Sequence, residues 1–143
     1  MKAMIAYESL TGHTRQAAEA IASAVRELGG EAVVKPVAEI RDSDIQEADA
    51  LFLGTWVHGL IFFGVRPAGA MTWVPALPPL AGKPVGVYCT YAFNPRGALR
   101  ALSAMLEARG AVVKGEHAFH RARPGEGAAL FVGSVLEAAG VPV

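Results

Sequence analysis

Apolar and polar positions fall in alternating blocks along this chain, and the two kinds of block carry different periods. Lys2–Tyr7 is mostly apolar and short enough for a buried strand, while Gln16–Leu28 places Ala17, Ala20, Ile21, Ala24, Val25 and Leu28 at helical spacing. The Gly29-Gly30 pair stops that helix, and EAVVKPV gives a second short strand. A polar stretch then runs to Ala50, where ALFLGT over 50–55 forms an uninterrupted apolar strand of the kind covered on both faces. The long connection WVHGLIFFGVRPAGAMTWVPALPPLAG follows, with a helix expected over Val65–Trp73 despite Pro67. Pro84–Thr90 reads as another buried strand, Arg96–Arg109 as an amphipathic helix closed by Gly110, and Ala111–Phe119 as a strand. A last helix is expected over Glu126–Ala139, led in by RPGEG.

Five strands alternating with helices in so short a chain predict right-handed βαβ units and a parallel sheet covered on both faces. We therefore expect an α/β fold: a three-layer, doubly wound, five-stranded parallel sheet of order 2-1-3-4-5, with residues 1–143 as one domain. Ligands of such sheets sit beyond the carboxyl ends of the strands, at the switch point between strands 1 and 3. Three loops share that rim: Glu8–Thr14, Trp56–Gly64 and Tyr91–Gly97.

Composition supports a packed protein and removes several function classes. The chain has 143 residues, 52% hydrophobic and 18% charged, enough for a substantial core and unlike a disordered segment. Its formal net charge of zero shows no electrostatic footprint for nucleic acid or an anionic membrane. Cys89, the one cysteine, excludes an internal disulfide and fits a reducing compartment; we read it as an inert buried thiol. No apolar run approaches the length of a membrane span, so we expect a soluble cytoplasmic protein without membrane insertion. His13 and His58 lie on the rim without Asp, Glu or Cys partners, so no metal site is expected. We take Trp73 as a core residue, and His117 and His120 as a surface pair.

The first loop carries the candidate chemistry. Tyr7–Arg15 reads YESLTGHTR: hydroxyls at Ser9, Thr11 and Thr14 and a glycine at 12, placed where a strand turns into a helix. A helix N-terminus presents unpaired N–H groups and a positive dipole end, so the turn suits a phosphate. The lysine and spacing of a triphosphate loop (G-x-x-x-x-G-K-S/T) are missing, as is G-x-G-x-x-G, so a phosphate monoester fits best. Read on residues alone, an ordinary Ser or Thr helix cap explains the loop equally well.

At this point the sequence resembles the flavodoxin family, whose first loop has the pattern S/T-x-T-G-x-T. Ser9-Leu10-Thr11-Gly12-His13-Thr14 matches it in full, after the first strand and at the head of the first helix. The resemblance implies that this loop cradles the 5′-phosphate of FMN. GTW at 54–56 falls where many flavodoxins stack a Trp on the flavin, which implies that Thr55, Trp56, Val57, His58 and Gly59 line it. YCTYAFNPRG falls where the family covers the other flavin face, bringing in Thr90, Tyr91, Phe93, Asn94 and Gly97; Tyr91 is the first choice for the covering ring and Phe93 the second.

The function implied is that of an FMN-binding electron carrier, moving one or two electrons between redox partner proteins, a reductase and an acceptor. No acid/base pair or activated nucleophile is evident, which is compatible with a carrier and gives no catalytic residue. Two other readings stay open. One is a small FMN-dependent oxidoreductase of the NAD(P)H/quinone or protoporphyrinogen type, in which GLIFFGV at 59–65 would form an apolar wall; the other is a flavin-free interaction domain. A homodimer through the aromatic-rich second loop also stays open. The family is strongly acidic, whereas the rim here brings His13, Arg15, His58, Arg66 and Arg96 against Glu8. The second reduction potential of a bound flavin is therefore expected to lie above that of an acidic flavodoxin.

Overall fold

The computed structural model describes residues 1–8, 12–58, 66–67, 70–80, 82–92 and 95–142, with the backbone alone at 58, 66, 67, 70–72 and 96. Strands β1 (Lys2–Tyr7), β2 (Glu31–Pro36), β3 (Ala50–His58), β4 (Pro84–Tyr91) and β5 (Val112–His120) form a parallel sheet in the order β2-β1-β3-β4-β5. Helices α1 (His13–Glu27), α2 (Asp42–Gln46), α3 (Ala70–Ala76), α4 (Arg96–Glu107) and α5 (Ala128–Ala139) connect and cover them. The expected fold class and strand order are those observed.

Alternation along the central strands divides the core in two. Ala3 and Ile5 of β1 and Phe52 of β3 pack with Ile21 and Val25 of α1 and with Phe131 and Val135 of α5. Met4, Ala6, Leu51, Leu53, Val85 and Val87 pack on the other face with Val74 and Leu77 near α3 and Leu102 and Leu106 of α4. Strands buried on both faces have no polar side to display, which is why they appear in the sequence as continuous apolar runs.

Three elements differ from the sequence expectation. Helix α1 begins at His13, ahead of Gln16, because its first turn is polar and therefore invisible to apolar periodicity. The helix expected over Val65–Trp73 is replaced by a two-residue strand, Arg66–Pro67, antiparallel to the end of β3, and by α3 over Ala70–Ala76 with Pro75 inside it. A proline is admissible in so short an edge strand because no ladder bond is required of its nitrogen. The polar stretch before β3 holds a 3-10 turn, Val37–Glu39, and α2.

Helix α2 is too short to persist on propensity, and polar contacts fix it. Asp44 accepts from the Arg41 backbone N–H at 2.9 Å and takes both carboxylate oxygens to Lys35 Nζ, at 3.0 and 2.9 Å. Partial desolvation pushes the Asp44 carboxyl up, but the bonds from Lys35 and Arg41 together outweigh it and hold the group below its ordinary range. A carboxyl depressed in the folded state stabilises above its unfolded pKa and loses that contribution as pH falls through the folded value. Asp44→Ala should therefore cost about 1 to 2 kcal/mol at pH 7, with the difference from wild type shrinking below about pH 4. Urea melts at pH 7 and pH 2.5 that give the same difference would contradict this account.

Tyr88 ties the centre of the sheet together. Its ring is fully buried, lies edge-on to Phe119 and donates its hydroxyl to the Ala6 carbonyl at 2.8 Å, reaching from β4 across β3 to β1. Burial, aided by the nearby Tyr7, keeps the phenol protonated well above its usual range. The route crosses Gly54, whose register partners are Tyr7 and Tyr88. A Cβ built on Gly54 would meet the Tyr88 ring at 2.3 Å, so the tyrosine's path exists only because position 54 has no side chain.

Candidate functional site

The carboxyl ends of β1, β3 and β4 and the head of α1 meet at one place, the point where the strand order reverses. Glu8 continues the β1–β3 pairing through its N–H to the Gly54 carbonyl at 2.9 Å. Its carboxylate accepts a 2.5 Å hydrogen bond from the hydroxyl of Thr55, which is fully buried. The donor capacity of Thr55 is thus committed to Glu8, leaving its oxygen lone pairs.

Gly12 caps α1 in the left-handed conformation, φ 91° and ψ −8°, and accepts the first helical bond from Gln16 N at 3.0 Å. A residue with a Cβ is strained at this φ. Glycine also brings no side chain to cap the first-turn amides of His13, Thr14 and Arg15, the groups that a helix leaves unpaired internally. No acidic residue occupies that turn. Ser9 and Thr11, the hydroxyls that the sequence offered as caps, lie outside the described residues.

Thr14 and Thr90 link the helix head to the sheet. Their hydroxyls lie 2.7 Å apart, with the side chains almost wholly buried. One hydroxyl proton serves the bond between them, and the other can be directed to a third acceptor.

Trp56 is half-buried and stands in register with Thr90, with Val57, also half-buried, beyond it and the backbone of His58 ending β3. Tyr91 is half-buried at the end of β4, and Gly97 is exposed in the first turn of α4. Of the other expected site residues, Ser9, Leu10, Thr11, Gly59, Phe93 and Asn94 lie outside the described residues, as does the apolar segment 59–65.

The two histidines of β5 are not the idle surface pair that the sequence suggested. His117 stacks on Phe131 with ring centroids 5.5 Å apart and sits edge-on to Phe119, its Nε2 3.1 Å from the Glu126 carbonyl. His120 sets its ring edge-on to Tyr91, centroids 5.2 Å apart, while its Nδ1 accepts the Ala122 N–H at 3.1 Å. The Arg121 N–H also reaches the Tyr91 carbonyl at 2.9 Å, so the turn after β5 holds Tyr91 by both ring and backbone. The signal that could have found His117 is its alternation with Gly115 and Phe119; nothing local marks the link from His120 to Tyr91.

Cys89 and Trp73 are buried, as expected. Burial, with a further contribution from the Glu116 carboxylate, pushes the thiol up to about 12, which makes it unreactive near neutral pH. Among the described residues no cluster of three His, Cys, Asp or Glu could hold a metal ion, and no helix is long and apolar enough to cross a membrane. The site brings together a helix start with no acid in its first turn and the half-exposed rings of Trp56 and Tyr91.

Among curated protein sequences, nothing matches this chain. Solved flavodoxins share its fold. The two-electron-reduced flavodoxin of Megasphaera elsdenii superposes with a TM-score of 0.73 at 23% identity, covering 96% of this chain and 98% of that one. The flavodoxin of Streptococcus pneumonia TIGR4 gives 0.74 at 23% identity over the whole of both chains. Oxidised Flavodoxin 1 from Bacillus cereus gives 0.73 at 22%, covering 96% of this chain and 98% of that one. The family model of the flavodoxin domain matches residues 4–101, a span holding the first loop and the ends of β1, β3 and β4, and the chain belongs to that family.

Proposed function

We propose that this protein binds FMN at the junction of β1, β3 and the head of α1, and serves as an electron carrier between a reductase and an acceptor protein. The observation that carries this reading is the helix head led by Gly12, without a side chain at its cap, beside Trp56 at the sheet's switch point. Residues Ser9, Leu10, Thr11, Gly12, His13 and Thr14 would hold the phosphate through first-turn amides and hydroxyls. The Thr14–Thr90 pair supports this role by having one proton more than it uses internally. Trp56 would lie against the ring system, with Thr55, Val57, His58, Gly59, Thr90, Tyr91, Phe93, Asn94 and Gly97 completing the surround. Bound FMN supplies the redox chemistry, and the chain supplies position and electrostatics.

The visible absorption spectrum before and after incubation with FMN and desalting tests this. Retained flavin with a perturbed spectrum is the expected result; a colourless protein that keeps none would reduce SLTGHT to a helix cap. Reduction by NAD(P)H should need a separate reductase, and steady NAD(P)H oxidation by the protein alone would point to an enzyme instead.

The electrostatics of the site also predict its potential. The first turns of α1, α4 and α5 contain no acidic residue, so their positive ends face the rim without a neutralising side chain. Negative charge gained on reduction is therefore less disfavoured than in an acidic flavodoxin, and the second reduction potential should be less negative. A redox titration that finds the second potential as negative as in acidic flavodoxins would count against this.

A further inference from the structure

The net charge of zero conceals an uneven distribution along the strand direction. At the carboxyl end of the sheet, Arg15 on the first turn of α1, Arg100 on α4, and Arg121 and Arg123 after β5 are all exposed. Of the acids at this end, Glu8 accepts from Thr55 and Glu126 pairs with Arg123 at 2.5 Å, while exposed Glu39 and Asp42 follow β2 at the far edge of the sheet. The opposite end carries exposed Glu27, Glu31, Glu47, Asp49, Glu107 and Glu137. Several cations there turn onto the protein: Lys2 pairs with Glu47, and Arg26, Lys83 and Arg109 donate to the carbonyls of Ala32, of Gln46 and Ala48, and of Leu77, while exposed Lys114 stands near the start of β5.

Helix stability does not explain this arrangement. Acids near a helix start and bases near its end are each worth roughly 0.3–1 kcal/mol. Helices α4 and α5 have neither: no acid lies in the first turn and no base in the last, and Glu107 and Glu137 stand at the unfavourable ends. At α4 and α5 the charges and the helix dipoles thus add, leaving the carboxyl end of the sheet beside β4 and β5 positive and the opposite end negative.

We propose that the rim formed by Arg15, Arg100 and Arg121 is a docking surface for a redox partner with an acidic face. This rests on the carrier reading above, since the rim surrounds the site proposed for the flavin, but the surface itself exists with or without a cofactor. A positive face opposed to an acidic one speeds encounter and orients it, and the negative far end of this chain repels the same partner, so approach is restricted to the rim.

The test is a titration of the 15N-labelled protein, followed by amide shifts and line widths, with an acidic plant-type ferredoxin and with basic cytochrome c as probes. At low salt, ferredoxin should perturb residues 12–16, 97–100 and 120–127. The perturbation should weaken about tenfold or more at 0.5 M salt, and the double variant R100E/R121E should lose most of it. Rim perturbation by cytochrome c in place of ferredoxin, ferredoxin mapping to the Glu27–Glu31 end, or no response to either probe would overturn the proposal. A chain that keeps no FMN shows that separately in its spectrum and leaves this measurement intact.

Discussion

Replacing Gly54 with alanine should destabilise the protein by roughly 3–5 kcal/mol, through overpacking and the loss of a buried hydrogen bond. The added methyl would stand 2.3 Å from ring atoms of Tyr88, a side chain with no exposed surface. Either β3 separates from its neighbours, or Tyr88 withdraws and leaves the Ala6 carbonyl without its 2.8 Å donor. That is a large fraction of the stability of an ordinary domain. Because β3 ends at the proposed flavin site, ligand binding should fall with it. Urea denaturation gives the number, and a loss under about 1 kcal/mol would show that the Tyr88 path is not tightly packed. The double variant G54A/Y88V, which removes the ring and restores room for the methyl, should recover part of the loss.

Trp56→Ala should do the reverse, lowering FMN affinity about a hundredfold while leaving folding stability within about 1 kcal/mol of wild type. The indole is half-buried at the end of β3, beyond the packed interior, so its removal opens little core. Stacking of an aromatic side chain on a flat ring is worth about 1–3 kcal/mol, the upper part of which corresponds to that loss. Trp56→Phe should retain most of the affinity, because a smaller ring still offers a face. Fluorescence titration with FMN and a parallel urea melt separate the two quantities. Unchanged affinity would remove Trp56 from the site, and a melt as weakened as that of Gly54→Ala would make it a structural residue.

The legibility of this molecule depended on sequence distance. The order of elements was plain because buried parallel strands and amphipathic helices each impose their own period, and those periods are local. The hydroxyl-rich stretch at the head of α1 was equally plain, since Ser9 to Thr14 are contiguous, though the residues alone left a helix cap and a phosphate site equally open. Two kinds of feature escaped. Arg66–Pro67 pairs with β3 and α3 begins only at Ala70, and no periodicity in a run rich in Gly and Pro marks that division. Side-chain partners far apart in sequence were hidden as well: Thr14 with Thr90, Tyr88 with Ala6, and Tyr91 with His120.

The sequence by itself determined the layered α/β class, the strand order, the rim at the carboxyl ends of β1, β3 and β4, and the hydroxyl-rich loop. Each follows from hydrophobic period, chain length or adjacent residues. Only the tertiary structure decided that Gly12 heads α1 with a positive φ and that the Thr55 hydroxyl donates a hydrogen bond to Glu8. It alone paired Thr14 with Thr90, and it brought exposed Arg15, Arg100 and Arg121 to one end of a chain whose net charge is zero. Hydrogen bonds and electric fields depend on separation in space, and the fold sets that separation by bringing strand ends and helix starts together.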